Sequence, residues 1–119
     1  MVEYKVWIDD NGIIRCVVGG SHRKRDAQEV IDDIKKHSKE MGKARILLDI
    51  CNIEESTSDA RRVYVNFIKK ESRILEKLAL HGKKAMQRVM ANFIIVASGC
   101  KEKVRYFRKE KEALKWLKK

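Results

Sequence analysis

No apolar run in this chain approaches the length of a membrane-spanning helix; Ile46-Leu47-Leu48, for one, is strand-sized. No basic stretch followed by an apolar segment opens the chain, so no signal peptide is expected. The three cysteines, Cys16, Cys51 and Cys100, form no Cys-x-x-Cys pair, and His22, His37 and His81 complete no zinc spacing. The sequence therefore predicts neither a metal nor another cofactor. An odd number of widely separated cysteines fits free thiols in a cytoplasmic protein. Proline is absent altogether, which by itself excludes nothing. Acidic residues are scarce: 17 Asp and Glu stand against 28 Lys and Arg, for a net charge of +11. That charge suits an anionic partner such as nucleic acid, a membrane surface or a phosphorylated ligand. It also suits plain solubility, so its distribution has to decide.

At 119 residues the chain is long enough for one core and too short for two, which predicts a single domain over residues 1–119. Tyr4 to Asp10 alternates apolar and polar side chains, the period of a strand. Asn11-Gly12 then separates it from the β-branched run Ile13 to Val18, a strong hairpin signal because both turn residues tolerate positive φ. Gly19-Gly20-Ser21 is expected to end that second strand. A helix follows from about Lys24 to Met41, with Ala27, Val30, Ile31, Ile34 and His37 or Ser38 on one face and Gly42 as its stop. Ala44 to Ile50 is nearly all apolar, as in a strand buried on both faces of a parallel sheet.

Cys51 to Asp59 reads as a polar loop in which Ser56, Thr57 or Ser58 caps the next helix. That helix carries Ala60, Val63, Tyr64, Phe67 and Ile68 at three- and four-residue steps. Ile74 to His81 fits a helix or a strand by the spacing of Leu75, Leu78 and Leu80, and the alternation of Leu78 and Leu80 with Gly82 directly after favours a fourth strand. Met86, Val89, Met90, Phe93, Ile94 and Ala97 then mark the inner face of a third helix that ends at Gly99. Val104 to Phe107 is a short fifth strand, and Glu110 to Lys118 a closing amphipathic helix with Ala113, Leu114 and Leu117 facing inward. Trp7 and Trp116 read first as packing residues. The order β-β-α-β-α-β-α-β-α predicts an α/β fold: one antiparallel hairpin, then a mostly parallel sheet.

That order, together with short stretches of sequence, resembles the SpoIIAA-like branch of the STAS superfamily (sulfate transporter and anti-sigma factor antagonist domains). The stretches are Leu47-Leu48-Asp49, Leu80-His81-Gly82-Lys83, Asn92-Phe93-Ile94 and Arg105-Tyr106-Phe107, with Ala113-Leu114-Lys115-Trp116-Leu117 at the end. The likeness extends loosely to CRAL-TRIO lipid-transfer domains. It implies a non-enzymatic interaction module that binds a protein partner or a small anionic or lipid-like ligand. Anti-sigma antagonists resembling this fold carry a phosphorylated serine in Asp-Ser-Ser-Gly just before the second helix. The segment here is Ser56-Thr57-Ser58-Asp59-Ala60, without that glycine and with Glu54 and Glu55 upstream. Ser56, Thr57 and Ser58 are thus candidate phosphoacceptors. A helix N-terminus would favour the phosphate and the neighbouring carboxylates would oppose it.

In open α/β sheets, ligands gather beyond the carboxyl ends of the parallel strands. The candidates there are Asp49, Asn52, Ser56, Thr57 and Ser58 after the third strand, and His81, Lys83 and Lys84 after the fourth. Gly82-Lys83-Lys84 at a helix start would offer an anion free N–H groups and two ammonium groups, although it is not a P-loop. His81 beside Asp49 or Cys51 would make an acid–base or nucleophilic pair, but no third orienting group or nucleophile elbow accompanies it. The alternative is electrostatic binding of nucleic acid or anionic membrane. From Lys101 onward nine basic residues stand against three acidic ones, with Lys109, Lys111, Lys115 and Lys118 forming a basic face. No helix-turn-helix or RNA-binding motif accompanies that face.

Overall fold

The computed structural model describes residues 4–39 and 41–119. Nine elements follow one another: β1 (Tyr4–Ile8), β2 (Ile14–His22), α1 (Lys24–Ser38), β3 (Ala44–Ser56), α2 (Ser58–Lys70), β4 (Leu75–His81), α3 (Ala85–Ser98), β5 (Val104–Phe107) and α4 (Glu110–Lys118). The expected order is reproduced. The five strands lie in sequence order, β1 antiparallel to β2 and every later pair parallel.

Because the chain always steps to the neighbouring strand in the same direction, crossovers of one hand place α1, α2 and α3 side by side on one face. Their apolar stripes meet Ile14, Cys16, Val18, Ile46, Leu48, Ile50, Leu78 and Leu80 in the main core. The alternate strand positions point the other way. Ile13, Leu47 and Ala79 form a smaller core with Ala113 and Leu117 of α4, which folds back beneath the sheet. β3 is therefore buried on both faces from Ile46 to Leu48, within the nearly all-apolar run that predicts it.

A nine-residue helix such as α4 is marginal alone. Here strand cations hold it at both ends. Arg15 pairs with Glu110 in its first turn, while Arg45 donates to the Leu117 carbonyl and Lys77 to the Trp116 carbonyl at 2.9 Å. Anionic charge thus sits at the positive end of the helix and cations at the negative end. Trp116 packs over the rim of this second core, tilted against Phe107 at 5.6 Å and flanked by Lys77 and Arg105.

Three boundaries differ from the sequence reading. Gly19-Gly20-Ser21 does not end β2, which runs on to His22 through register shifts at Val17/Gly19 and Gly20/Ser21. Gly20 adopts φ 79°, so the glycines bend the strand without breaking it. The expected loop from Cys51 is not a loop, because β3 continues to Ser56 by pairing with this extended β2. α1 ends at Ser38, ahead of Gly42; Glu40, inside the expected helix, lies outside the described residues.

The third helix keeps most of its expected face, with Met90 and Ile94 buried and Met86, Phe93 and Ala97 packed against the core, but Val89 departs from it. Gln87, Met90, Ala91, Ile94 and Ser98 point inward, whereas Val89 is 59% and Val96 79% exposed. Gln87 is the cause. Its amide donates to the Cys51 and Ile53 carbonyls and accepts from the Lys83 and Lys84 N–H groups, which draws a polar side chain into the core.

Candidate functional site

The structure divides the predicted residues among separate places: Asp49 and Asn52 lie within β3 and Ser56 ends it, Thr57 and Ser58 open α2, and His81 ends β4 ahead of Lys83 and Lys84. Asn52 lines a cleft of about 610 Å³ on the sheet face that α4 leaves uncovered, with Lys5, Trp7, Val17, Gly19 and Glu54. Trp7 stands there beneath Lys5 and Arg15, whose cationic groups lie 5.0 and 5.5 Å from its ring. Ser56 and Thr57 line a second recess with Ser21, His22 and Arg23. Lys83 and Lys84 line a third, and Asp49 meets His81 on the α4 side of the sheet.

The recess at Lys83 and Lys84 is a notch of about 170 Å³ at the start of α3, completed by Ala85, Tyr106, Arg88 and Arg108. Four cations and a phenol thus converge at one helix N-terminus. Arg88 lies one helical turn from Lys84, a spacing visible in the sequence, whereas Arg108 and Tyr106 arrive only through pairing of β5 with β4. The expected free amides are partly taken. Gly82 N–H donates to the Phe107 carbonyl at 3.1 Å, and those of Lys83 and Lys84 to Gln87 Oε1 at 2.8 and 3.0 Å. What remains for an anion is the first-turn amides of α3 and the four side-chain charges. Gly82 itself is hemmed in, since a Cβ there would lie 2.9 Å from Gln87 Cβ and 3.2 Å from the Tyr106 ring.

On the other side of the same sheet end, Asp49, Cys51 and His81 form a compact cluster. Asp49 and Cys51 are alternate residues of β3, and His81 is the partner of Asp49 in β4. Cys51 Sγ lies 3.6 Å from both ring nitrogens of His81, and His81 Nδ1 lies 3.6 Å from Asp49 Oδ1. The Cys51 N–H donates to Asp49 Oδ1 at 2.9 Å and fixes the carboxylate. Burial, reinforced by a hydrogen bond to Asp49 and by its charge, pushes the Cys51 thiol up to about 12. That is the opposite of nucleophile activation, which needs a lowered thiol.

At the start of α2, Thr57 is the cap: its hydroxyl accepts from Ala60 N–H at 3.3 Å and donates to Asp59, whose carboxyl that bond holds below its usual range. Ser56 ends β3 and is half-buried, and Ser58 opens the helix exposed. Beneath them His22 is fully buried, with Nε2 2.6 Å from the Tyr64 hydroxyl and Nδ1 without a partner among the described residues. Burial lowers its pKa and raises that of Tyr64. Lys109, Lys111, Lys115 and Lys118 are all exposed on α4 or its cap.

A family model described as a domain of unknown function, DUF7793, matches residues 6–119. Among solved structures, the chain is similar to an uncharacterized protein of the DUF3478 family with a SpoIIAA-like fold, from Shewanella loihica PV-4. The two share 13% identity at a TM-score of 0.69, over 98% of this chain and 93% of that one. At such identity the likeness shows the fold, which is SpoIIAA-like. No curated protein matches the chain.

Proposed function

The chain belongs to the DUF7793 family, and on that premise we propose that it is a non-enzymatic STAS-like module whose ligand is an anionic group, phosphate or carboxylate, borne by a small molecule or a partner protein. The observation that carries this reading is the notch at the start of α3, where Lys83, Lys84, Arg88 and Arg108 surround one helix N-terminus. Cations and first-turn amides together favour an anion there. Its volume of about 170 Å³ suits a single charged group rather than a whole drug-sized molecule. The uncovered sheet face holds the larger cleft, but that one contains Glu54 and is the poorer match for an anion. A lipid-like ligand asks for more, because Tyr64, Phe67 and Met90 fill the core between helices and sheet and would have to be displaced. The raised Cys51 thiol supports a role other than nucleophilic catalysis.

Titration with pyrophosphate, followed by amide chemical shifts, tests this. The expected result is saturable shifts centred on residues 83–88 and 108, lost in the Lys84→Gln/Arg88→Gln variant. Shifts confined to other residues would remove the notch from consideration. Native mass spectrometry of freshly purified protein would then identify any co-purified ligand.

A second reading, electrostatic binding of nucleic acid or anionic membrane, is favoured by one observation. Lys111, Lys115 and Lys118 fall at helical spacing and are all exposed on the outer side of α4, opposite Ala113 and Leu117.

A further inference from the structure

We infer that Asp49, Cys51 and His81 form a binding site for a zinc-class divalent cation, with the fourth coordination position open to water or to a ligand atom. The three side chains offer one sulfur, one imidazole nitrogen and one carboxylate oxygen, all within 4.8 Å of one another. Zinc bound tetrahedrally by such donors, with bonds of about 2.0–2.3 Å, places neighbouring ligand atoms roughly 3.3–3.6 Å apart. The observed Sγ···Nδ1 and Nδ1···Oδ1 separations, both 3.6 Å, are close to those edges, but Sγ lies equally 3.6 Å from Nε2, so the imidazole has to turn for its Nδ1 lone pair to meet the cation.

Donor chemistry agrees with the geometry. A thiolate, an imidazole and a carboxylate suit zinc better than magnesium or calcium, which prefer all-oxygen sets. The two anionic ligands balance a divalent charge. Binding exchanges the Cys51 thiol proton for the cation and releases that proton to solvent.

The strands that carry the site are in place before any cation arrives, and only the His81 ring has to turn. The site's residues stand on two paired strands of the sheet, and the Cys51 N–H orients the Asp49 carboxylate from behind. Asp49 and Cys51 are half-buried, leaving a solvent path to the open position. The site shares no residue with the anion notch, which opens at Lys83, two residues beyond His81.

Adding Co²⁺ alone to the full chain tests it. The expected result is a thiolate-to-cobalt charge-transfer band in the near ultraviolet, with the intense visible bands of tetrahedral cobalt. That band should vanish in Cys51→Ser, persist in Cys100→Ser, and need more than about tenfold higher Co²⁺ in His81→Gln or Asp49→Asn. A second measurement uses only the unaltered chain, so it stands even where a variant fails to fold. Zn²⁺ should slow alkylation of Cys51, followed by mass spectrometry, and leave that of Cys100 unchanged. Absence of the charge-transfer band, its survival in Cys51→Ser, or equal alkylation of Cys51 with and without Zn²⁺ would each overturn the site.

Discussion

Buried residues of ordinary chemistry carry consequences that composition conceals. His22 has no exposed surface; its ring stacks on Tyr64 at 5.6 Å, and it shares a single hydrogen bond with that hydroxyl. Burial disfavours the imidazolium and lowers the pKa, an effect that Asp26 only partly opposes. Above the ordinary histidine value of about 6.5, His22 is neutral folded and unfolded and adds no pH dependence. Below it, the unfolded chain takes up a proton that the folded protein refuses, so stability falls from there down to the folded pKa. Urea denaturation midpoints should therefore decrease as the pH falls from about 6.5 to about 5.5, and His22→Phe should flatten that decrease even where it lowers stability overall. An unchanged slope in the variant would assign the acid sensitivity elsewhere.

At the scale of single elements, the start of α2 separates three adjacent hydroxyls by function. Thr57 accepts from Ala60 N–H and donates to Asp59, whereas Ser56 belongs to β3 and Ser58 is already inside the helix. Thr57→Ala should cost about 1 kcal/mol of stability, measured by denaturation, and Ser56→Ala or Ser58→Ala much less. Equal costs at all three positions would mean that the cap is shared. The sequence narrows the cap to this triplet and can go no further, since capping depends on which residue first turns helical. In α3 the limit is of another kind. Periodicity assigns Val89 to the interior because valine is apolar and Gln87 is not, yet two strand carbonyls and two loop amides require a bifunctional amide at position 87. Hydrogen-bond demand outweighs hydropathy there, and that demand exists only once β3 lies beneath α3.

Over the whole molecule, the positive charge is spread across more than one surface. The notch at α3 gathers four cations around a concave helix end, while Lys111, Lys115 and Lys118 lie along a convex helix. A recessed site and a convex face respond differently to salt and to ligand size. If polyanions bind α4, replacing Lys109, Lys111, Lys115 and Lys118 by glutamine should lower the salt slope of DNA binding by a few units. Pyrophosphate binding at the notch should not change. DNA affinity and salt slope both unaffected by that quadruple substitution would exclude the α4 face as a polyanion surface.

Strand and helix periodicities, the Asn11-Gly12 turn and the apolar run of β3 determined the order of elements and the α/β class, because these features depend on neighbours only a few residues apart. The same local rules misjudged the ends of β2 and β3. Gly19-Gly20-Ser21 and Cys51 to Ser56 become strand only by pairing with each other. Tertiary structure alone decided how the candidate residues combine. Asp49 and Cys51 meet His81 because β3 and β4 pair in one particular register, and Arg108 reaches the notch because β5 docks beside β4. Residues thirty positions apart become neighbours through the hydrogen-bond ladder of a sheet, and no spacing rule within the chain encodes that register.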